Sequence, residues 1–241
     1  RKIRDLIKRG IIQEWDDFRL STLSGMRRRG IVPETIKQIA FEMQLSKVQA
    51  ELDLSVLLAI NRKIVDDIAK RLFAVLNPIE LHVDNLPGTE VTLTYHPKNK
   101  DLGNRHIPYD NDFYIGYADL DILKPGALIR LKDLCNIRIN EIKTYKNGRN
   151  VVKSSYDENP SLDLPKIQWI PKNNHMKLIV NIPGPLYIEE KINPNSLRRE
   201  KGYIEKAALK FQEGDLIQLE RIGFGRIDSI SQNEIIVNMT E

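Results

Sequence analysis

Leu123-Lys124-Pro125-Gly126-Ala127, followed by Leu128-Ile129-Arg130-Leu131-Lys132, sets a Pro-Gly turn against a run of alternating polarity. Proline pre-sets the backbone for the turn, and glycine accepts the left-handed conformation it requires. Side chains on a strand alternate between faces, so Ile129 and Leu131 project one way and Arg130 and Lys132 the other. The same texture extends in both directions. Ile79–Val83, Val91–Tyr95, Phe113–Tyr117, Ile137–Ile142, Ile167–Ile170, Leu178–Ile182, Leu216–Glu220 and Ile235–Val237 are short runs of the same kind. Leu86-Pro87-Gly88, Lys146-Asn147-Gly148 and Pro183-Gly184-Pro185 are the turn signals between them. Many short strands punctuated by Gly and Pro indicate antiparallel barrels or sandwiches rather than strand–helix–strand units. Segment 146–165 is polar and reads as a mobile loop, and no internal repeat stands out.

Residues upstream of Pro78 have a different period. Pro33 suits a first helical position, and Ile36, Ile39, Ala40 and Met43 then recur at helical spacing. Leu54, Leu57, Leu58, Ile64, Val65, Ile68 and Leu72 form a longer stripe, which predicts a second helix over about 52–74 that stops before Asn77-Pro78. Both stripes are core. The expected fold class is α+β and multi-domain, with a helical subdomain at 1–76 and an all-β region at 77–241. That region, about 165 residues, suits two antiparallel β-barrels, about 77–110 with 200–241 and 111–199.

Composition narrows the function classes. With 241 residues, 41% hydrophobic and 29% charged, the chain is globular, and no apolar run nears the roughly 20 residues that span a bilayer. The lone Cys135 forms no internal disulfide, which fits a reducing compartment, the cytoplasm. Four histidines at 82, 96, 106 and 175 give no metal-ligand spacing. Neither a phosphate-binding loop nor a nucleophile elbow is present. The adjacent pairs Asp16-Asp17 and Asp66-Asp67 cannot face each other across a substrate. No catalytic residue, metal or cofactor is therefore expected in this chain. It opens on Arg1 rather than Met, which suggests a fragment or processed subunit.

Net charge is +4, but residues 1–30 hold nine basic groups against four acidic ones. Gly25-Met26-Arg27-Arg28-Arg29-Gly30 concentrates that charge at a turn, where a phosphate backbone could be gripped. Arg130 and Lys132 share one strand face and could meet phosphates or base edges. Arg71 borders the second apolar stripe near the entry to the β region, a good place for a splayed nucleotide. Tyr109, Phe113, Tyr114 and Tyr117 cluster, and could pack or stack on bases.

Several stretches carry a family resemblance. Trp15-Asp16-Asp17-Phe18-Arg19-Leu20 with Arg27-Arg28-Arg29-Gly30, Asn61-Arg62-Lys63-Ile64-Val65-Asp66, His96-Pro97-Lys98, Leu123-Lys124-Pro125-Gly126, and Gly214-Asp215-Leu216-Ile217-Gln218-Leu219-Glu220-Arg221 stand in one order. Together they resemble the archaeal-type glutamyl-tRNA synthetases, of the class I glutamyl/glutaminyl branch, from just after the catalytic KMSKS loop onward. The resemblance implies two anticodon-binding barrels in the tRNA-recognition half of glutamate–tRNA ligase. By it, Arg71 and Gln218 read the middle anticodon base, Arg130 lies near the first base, and Lys132 occupies a nearby position. Arg221 shares the terminal motif, although three residues from Gln218 it needs a bulge to reach the same face. Ser46 and Lys47 fall at the inside corner of the tRNA, and Arg27, Arg28 and Arg29 meet its backbone.

Departures are Phe18, where the family has proline, Ser21 before Thr22, and Asp121 and Ile122, where the glutaminyl enzyme has basic residues for the third base. The last fits a reader that accepts both glutamate and glutamine tRNAs. ATP and Mg would belong to the whole enzyme, whose catalytic half lies in the same polypeptide or a separate subunit, so this chain alone should be inactive. Its partners are tRNA and that half, not membrane or DNA. Rival readings are a glutaminyl-tRNA synthetase half, a stand-alone RNA-binding module, and a structural barrel with an incidental basic patch.

Overall fold

The computed structural model describes residues 2–42, 53–161 and 163–241. Among the described residues, four helices, Lys2–Lys8, Leu23–Arg29, Pro33–Glu42 and Leu54–Asp66, precede the β region. Asn61, 1% exposed, joins the last two. Its Oδ1 accepts from Val32 N–H and Thr35 Oγ1, and its Nδ2 donates to Gly30 carbonyl. A buried amide satisfied at both ends fixes one packing of these short helices.

The helix expected over 52–74 ends at Asp66, and Lys70–Leu72 and Ala74–Leu76 are strands. The cause is burial on both faces. Phe73 and Val75 enter one hydrophobic core, while Leu72 and Ala74 enter the other. A strand wedged between two cores is a continuous apolar run, which periodicity does not separate from a helix.

Two nearly closed, barrel-like sheets of seven strands follow, and the strand pairing divides the β region differently from the expected division. The first barrel is contiguous, from Pro78–Asp84 through Trp169–Pro171. The second combines Lys70–Leu72 and Ala74–Leu76 with strands from His175–Pro183 to Glu234–Met239. Each sheet holds two parallel pairs among antiparallel ones. The segment expected as a loop, 146–165, contains the strand Asn150–Asp157, paired on both sides to Cys135–Thr144 and Pro78–Asp84. It reads as polar because one of its inward residues is Ser154, fully buried and donating to His82 carbonyl.

An internal repeat, which the sequence had not suggested, is present. In each barrel a hairpin leads to a third strand that pairs in parallel with an earlier one, Pro78–Asp84 in the first and His175–Pro183 in the second. The hairpins are Leu128–Leu131 with Cys135–Thr144 and Leu216–Leu219 with Gly223–Ile230. Each sheet closes on a seam, two short strands with one residue between them. The first seam is Lys166–Ile167, Gln168, Trp169–Pro171; the second is Lys70–Leu72, Phe73, Ala74–Leu76. The first seam ends its barrel and the second opens its own, so the copies are circularly permuted. Gly126-Ala127-Leu128-Ile129-Arg130-Leu131-Lys132-Asp133 thus matches Gly214-Asp215-Leu216-Ile217-Gln218-Leu219-Glu220-Arg221. Their left-handed residues coincide too: Gly126 and Gly214 have φ of 85° and 96°, Asp133 and Arg221 of 57° and 65°.

Candidate nucleic-acid interface

Beyond Asp66 the chain turns through Ala69 and enters the second barrel beside its Leu216–Leu219 strand. The parallel register sets Arg71 directly against Gln218, so the two residues singled out for one base are neighbours. Arg71 N–H donates to Tyr95 carbonyl at 2.8 Å, and its Nη2 to Asp66 Oδ1 at 3.0 Å. Its Nε is buried without an acceptor, and Gln218 Oε1 is buried without a donor. Leaving such groups unpaired costs about 1–3 kcal/mol each, so the position is built for a bound partner, water or ligand.

The first barrel repeats the arrangement with other side chains. Arg130 stands where Gln218 does, and its parallel partner across the seam is Lys166. Arg130 Nη1 donates to Asn136 Oδ1 at 2.9 Å, and Asn136 Nδ2 donates to Ser161 carbonyl at 2.8 Å. A cleft of about 300 Å³ lies beside it, lined by Tyr109, Asn136 and Tyr156.

Lys132 crosses between the barrels. Its ammonium bonds Glu220, lies 3.1 Å from Asp133 Oδ2, and sits 5.2 Å from the Phe73 ring centroid. Arg221 needs no bulge, because its strand ends at Leu219 and the residue sits in the following turn. Its guanidinium grips Asp119 with both Nη atoms, at 3.3 and 2.9 Å.

The three consecutive arginines have three different surroundings. Arg28 forks onto Asp228 at 2.8 and 3.0 Å and reaches Asp16 at 3.2 Å; the Asp228 bond raises its pKa. Arg29 Nε donates to Thr240 carbonyl at 2.7 Å, and burial lowers its pKa. Arg27 has no ion-pair partner among the described residues. It lines a hollow of about 750 Å³ with Ser24 and Arg226. Burial, then repulsion from Arg27, lowers the pKa of Arg226. Arg27 and Arg226 face a broad, open surface that also carries Asp16, Glu213 and Asp228. Ser46 and Lys47 lie outside the described residues.

Of the aromatics, Tyr109 and Phe113 are buried against Trp169, and Tyr114 packs on Tyr203 with centroids 4.4 Å apart. Tyr117 alone of the four is exposed.

Residues 69–157 and 166–228 match two family models with one description: tRNA synthetases class I (E and Q), anti-codon binding domain. The chain belongs to this family. A glutamate–tRNA ligase of Pyrococcus furiosus is 35% identical over 237 residues, which are 98% of this chain and 39% of that protein. One from Nitrosopumilus maritimus is 37% identical over 232 residues, 96% of this chain and 40% of that protein. The chain thus spans about two-fifths of the length of the curated relatives it matches.

Several groups in these anticodon-binding barrels were not legible in advance. Arg105, on the strand Asn104–Pro108 of a separate two-stranded sheet, and Glu205, at the end of a second-barrel strand, both 1% exposed at their side chains, form an ion pair at 2.8 Å. Glu205 also accepts from Phe73 N–H at 2.7 Å. Burial pushes its pKa up to about 7, against the opposing pull of Arg105. Lys166 and Gln168 were missed because the repeat was. Aligning the Gly126 and Gly214 segments would have revealed it. Among the described residues, no His, Cys, Asp and Glu side chains gather as a metal-binding group, and no helix is long and apolar enough to cross a membrane.

Proposed function

We propose that this chain is the tRNA-recognition half of a glutamate–tRNA ligase, which joins glutamate to tRNA with ATP. The observation that carries the reading is the unpaired Arg71 Nε set beside the unpaired Gln218 Oε1 in a fixed parallel register. One offers a donor and the other an acceptor, the requirement for binding the edge of an unstacked base. Arg71, Arg130, Lys132 and Arg221 are all prepositioned by internal acceptors, and tRNA takes over part of those bonds. Ordered side chains lose less entropy on binding. Arg27 and Arg226 supply sequence-independent attraction to phosphates.

The catalytic half, with ATP and Mg, lies elsewhere in the same polypeptide or in a partner subunit, so this chain alone has no ligase activity. Asp121 and Ile122 bring no cation to the third base, which favours acceptance of both glutamate and glutamine tRNAs. The protein works in the cytoplasm, where its substrates are. The test is binding of the chain to glutamate tRNA and to an anticodon-swapped tRNA, at two salt concentrations, with Arg71→Ala alongside. The expected outcome is weaker binding on the swap and a loss of about 1–3 kcal/mol for Arg71→Ala. Salt-sensitive binding indifferent to the anticodon would reduce the chain to a general RNA-binding surface.

A further inference from the structure

Phe73 and Gln168 hold the same place in the two seams, each the single residue between the two closing strands. Phe73 is fully used by the structure. Its ring packs edge-on against Trp169 at 5.5 Å and carries Arg105 on its face, and its N–H is bonded to Glu205. Gln168 faces the opposite way. It is 4% exposed, and its Oε1 and Nε2 are both buried with no partner. It lines a crevice of about 170 Å³ between the barrels, with Ala74, Leu76, Glu220, and the Arg221–Asp119 pair. At ~30 Å³ per water this holds about five or six waters, the scale of one heterocycle rather than a whole nucleotide.

An apolar side chain would fill that place without leaving two polar atoms unsatisfied, as Phe73 does in the other seam. An amide instead presents a donor and an acceptor side by side in one plane, the pattern that meets adjacent donor and acceptor atoms on a base. Access follows from the pair beside it. The Arg221 side chain is 48% exposed and Asp119 only 10%, so the guanidinium is the outer member, held by Asp119 where its face can meet a ring in the crevice.

We infer that Gln168 is a further specificity-determining residue, whose amide reads the edge of one unpaired RNA base drawn into the crevice between the barrels. The inference rests on the anticodon-binding reading above. It is tested by measuring the affinity of the chain for glutamate tRNA and for variants with each anticodon base replaced in turn, comparing wild type with Gln168→Met. Thermal unfolding of each protein is followed in parallel.

The expected result is about five- to a hundredfold weaker binding of the cognate tRNA by Gln168→Met. Its discrimination should vanish at one anticodon position and persist at the others, without loss of thermal stability. Unchanged discrimination at all positions would overturn the inference and leave the amide to internal water. If Gln168→Met does not fold, Gln168→Asn, which keeps the amide but retracts it, serves instead. A loss confined to one position then supports the inference, and a uniform one overturns it. A wild-type chain indifferent to the anticodon would overturn the recognition reading and Gln168 with it. Failure of the Gln168 inference alone would leave wild-type discrimination intact.

Discussion

The first barrel places Arg130 against Lys166 where the second places Gln218 against Arg71, and the two copies treat these positions differently. Arg130 is bonded to Asn136, which in turn ties down the chain at Ser161, so the arginine of the first pair belongs to an internal network while Lys166 is exposed. The second pair keeps one buried donor and one buried acceptor unspent. The seams diverge in the opposite sense. Phe73, in the second, is saturated with contacts, while Gln168, in the first, is not. Each barrel therefore leaves buried polar atoms unsatisfied at these positions, Gln168 in the first and Arg71 with Gln218 in the second. Proteins retain such groups where binding requires them.

The strongest way to break this comparison is to disturb the buried charge beside Phe73 of the second seam. Arg105→Leu strands Glu205, and losing one partner of a buried pair costs about 3–5 kcal/mol. Urea unfolding at neutral pH should show a loss of this size. A loss below 1 kcal/mol would mean that the pair does not hold the Asn104–Pro108 hairpin to the second barrel.

A milder probe is pH. Glu205 has a native pKa near 7 against an ordinary 4.5, so between these values the folded chain binds more protons than the unfolded one. Stability therefore falls as pH rises from about 4.5 to about 7, then levels off. Glu205→Gln should flatten that slope in denaturant titrations, and an unchanged slope would point to another group.

The smallest expected effect sharpens the comparison directly. Lys166→Ala removes the counterpart of Arg71 from an exposed position, and tRNA affinity at low salt should fall only a few-fold, less than for Arg71→Ala. An equal or larger loss would make the first barrel the main reader.

How much of this was legible depended on how many faces of each strand meet solvent. Leu128–Leu131 has one inward and one outward face, and its alternation marked the strand and Arg130 together. The chain at 70–76 has cores on both sides and passed for helix, which still left Arg71 correctly at the border of the β region. Asn150–Asp157 carries Ser154 inward and passed for loop. The repeat escaped notice because the seams sit at opposite ends of their barrels, so the two copies do not run in the same order from their first strand to their last. Charge density marked Arg27–Arg29 as one patch, but only contacts with Asp228 and Thr240 separate the arginine left free from the two built into the fold.

The permutation also sets an order on synthesis. Lys166 meets Arg130 from 36 positions further along the chain, all within a contiguous barrel that is complete once Pro171 has been made. Arg71 meets Gln218 only after that entire barrel has been threaded between them. A longer loop adds little to the free-energy cost of closure but delays the encounter. On a growing chain the first barrel can therefore close while the second is still two unpaired strands, and the seam that carries Arg71 waits until Leu216–Leu219 has been made.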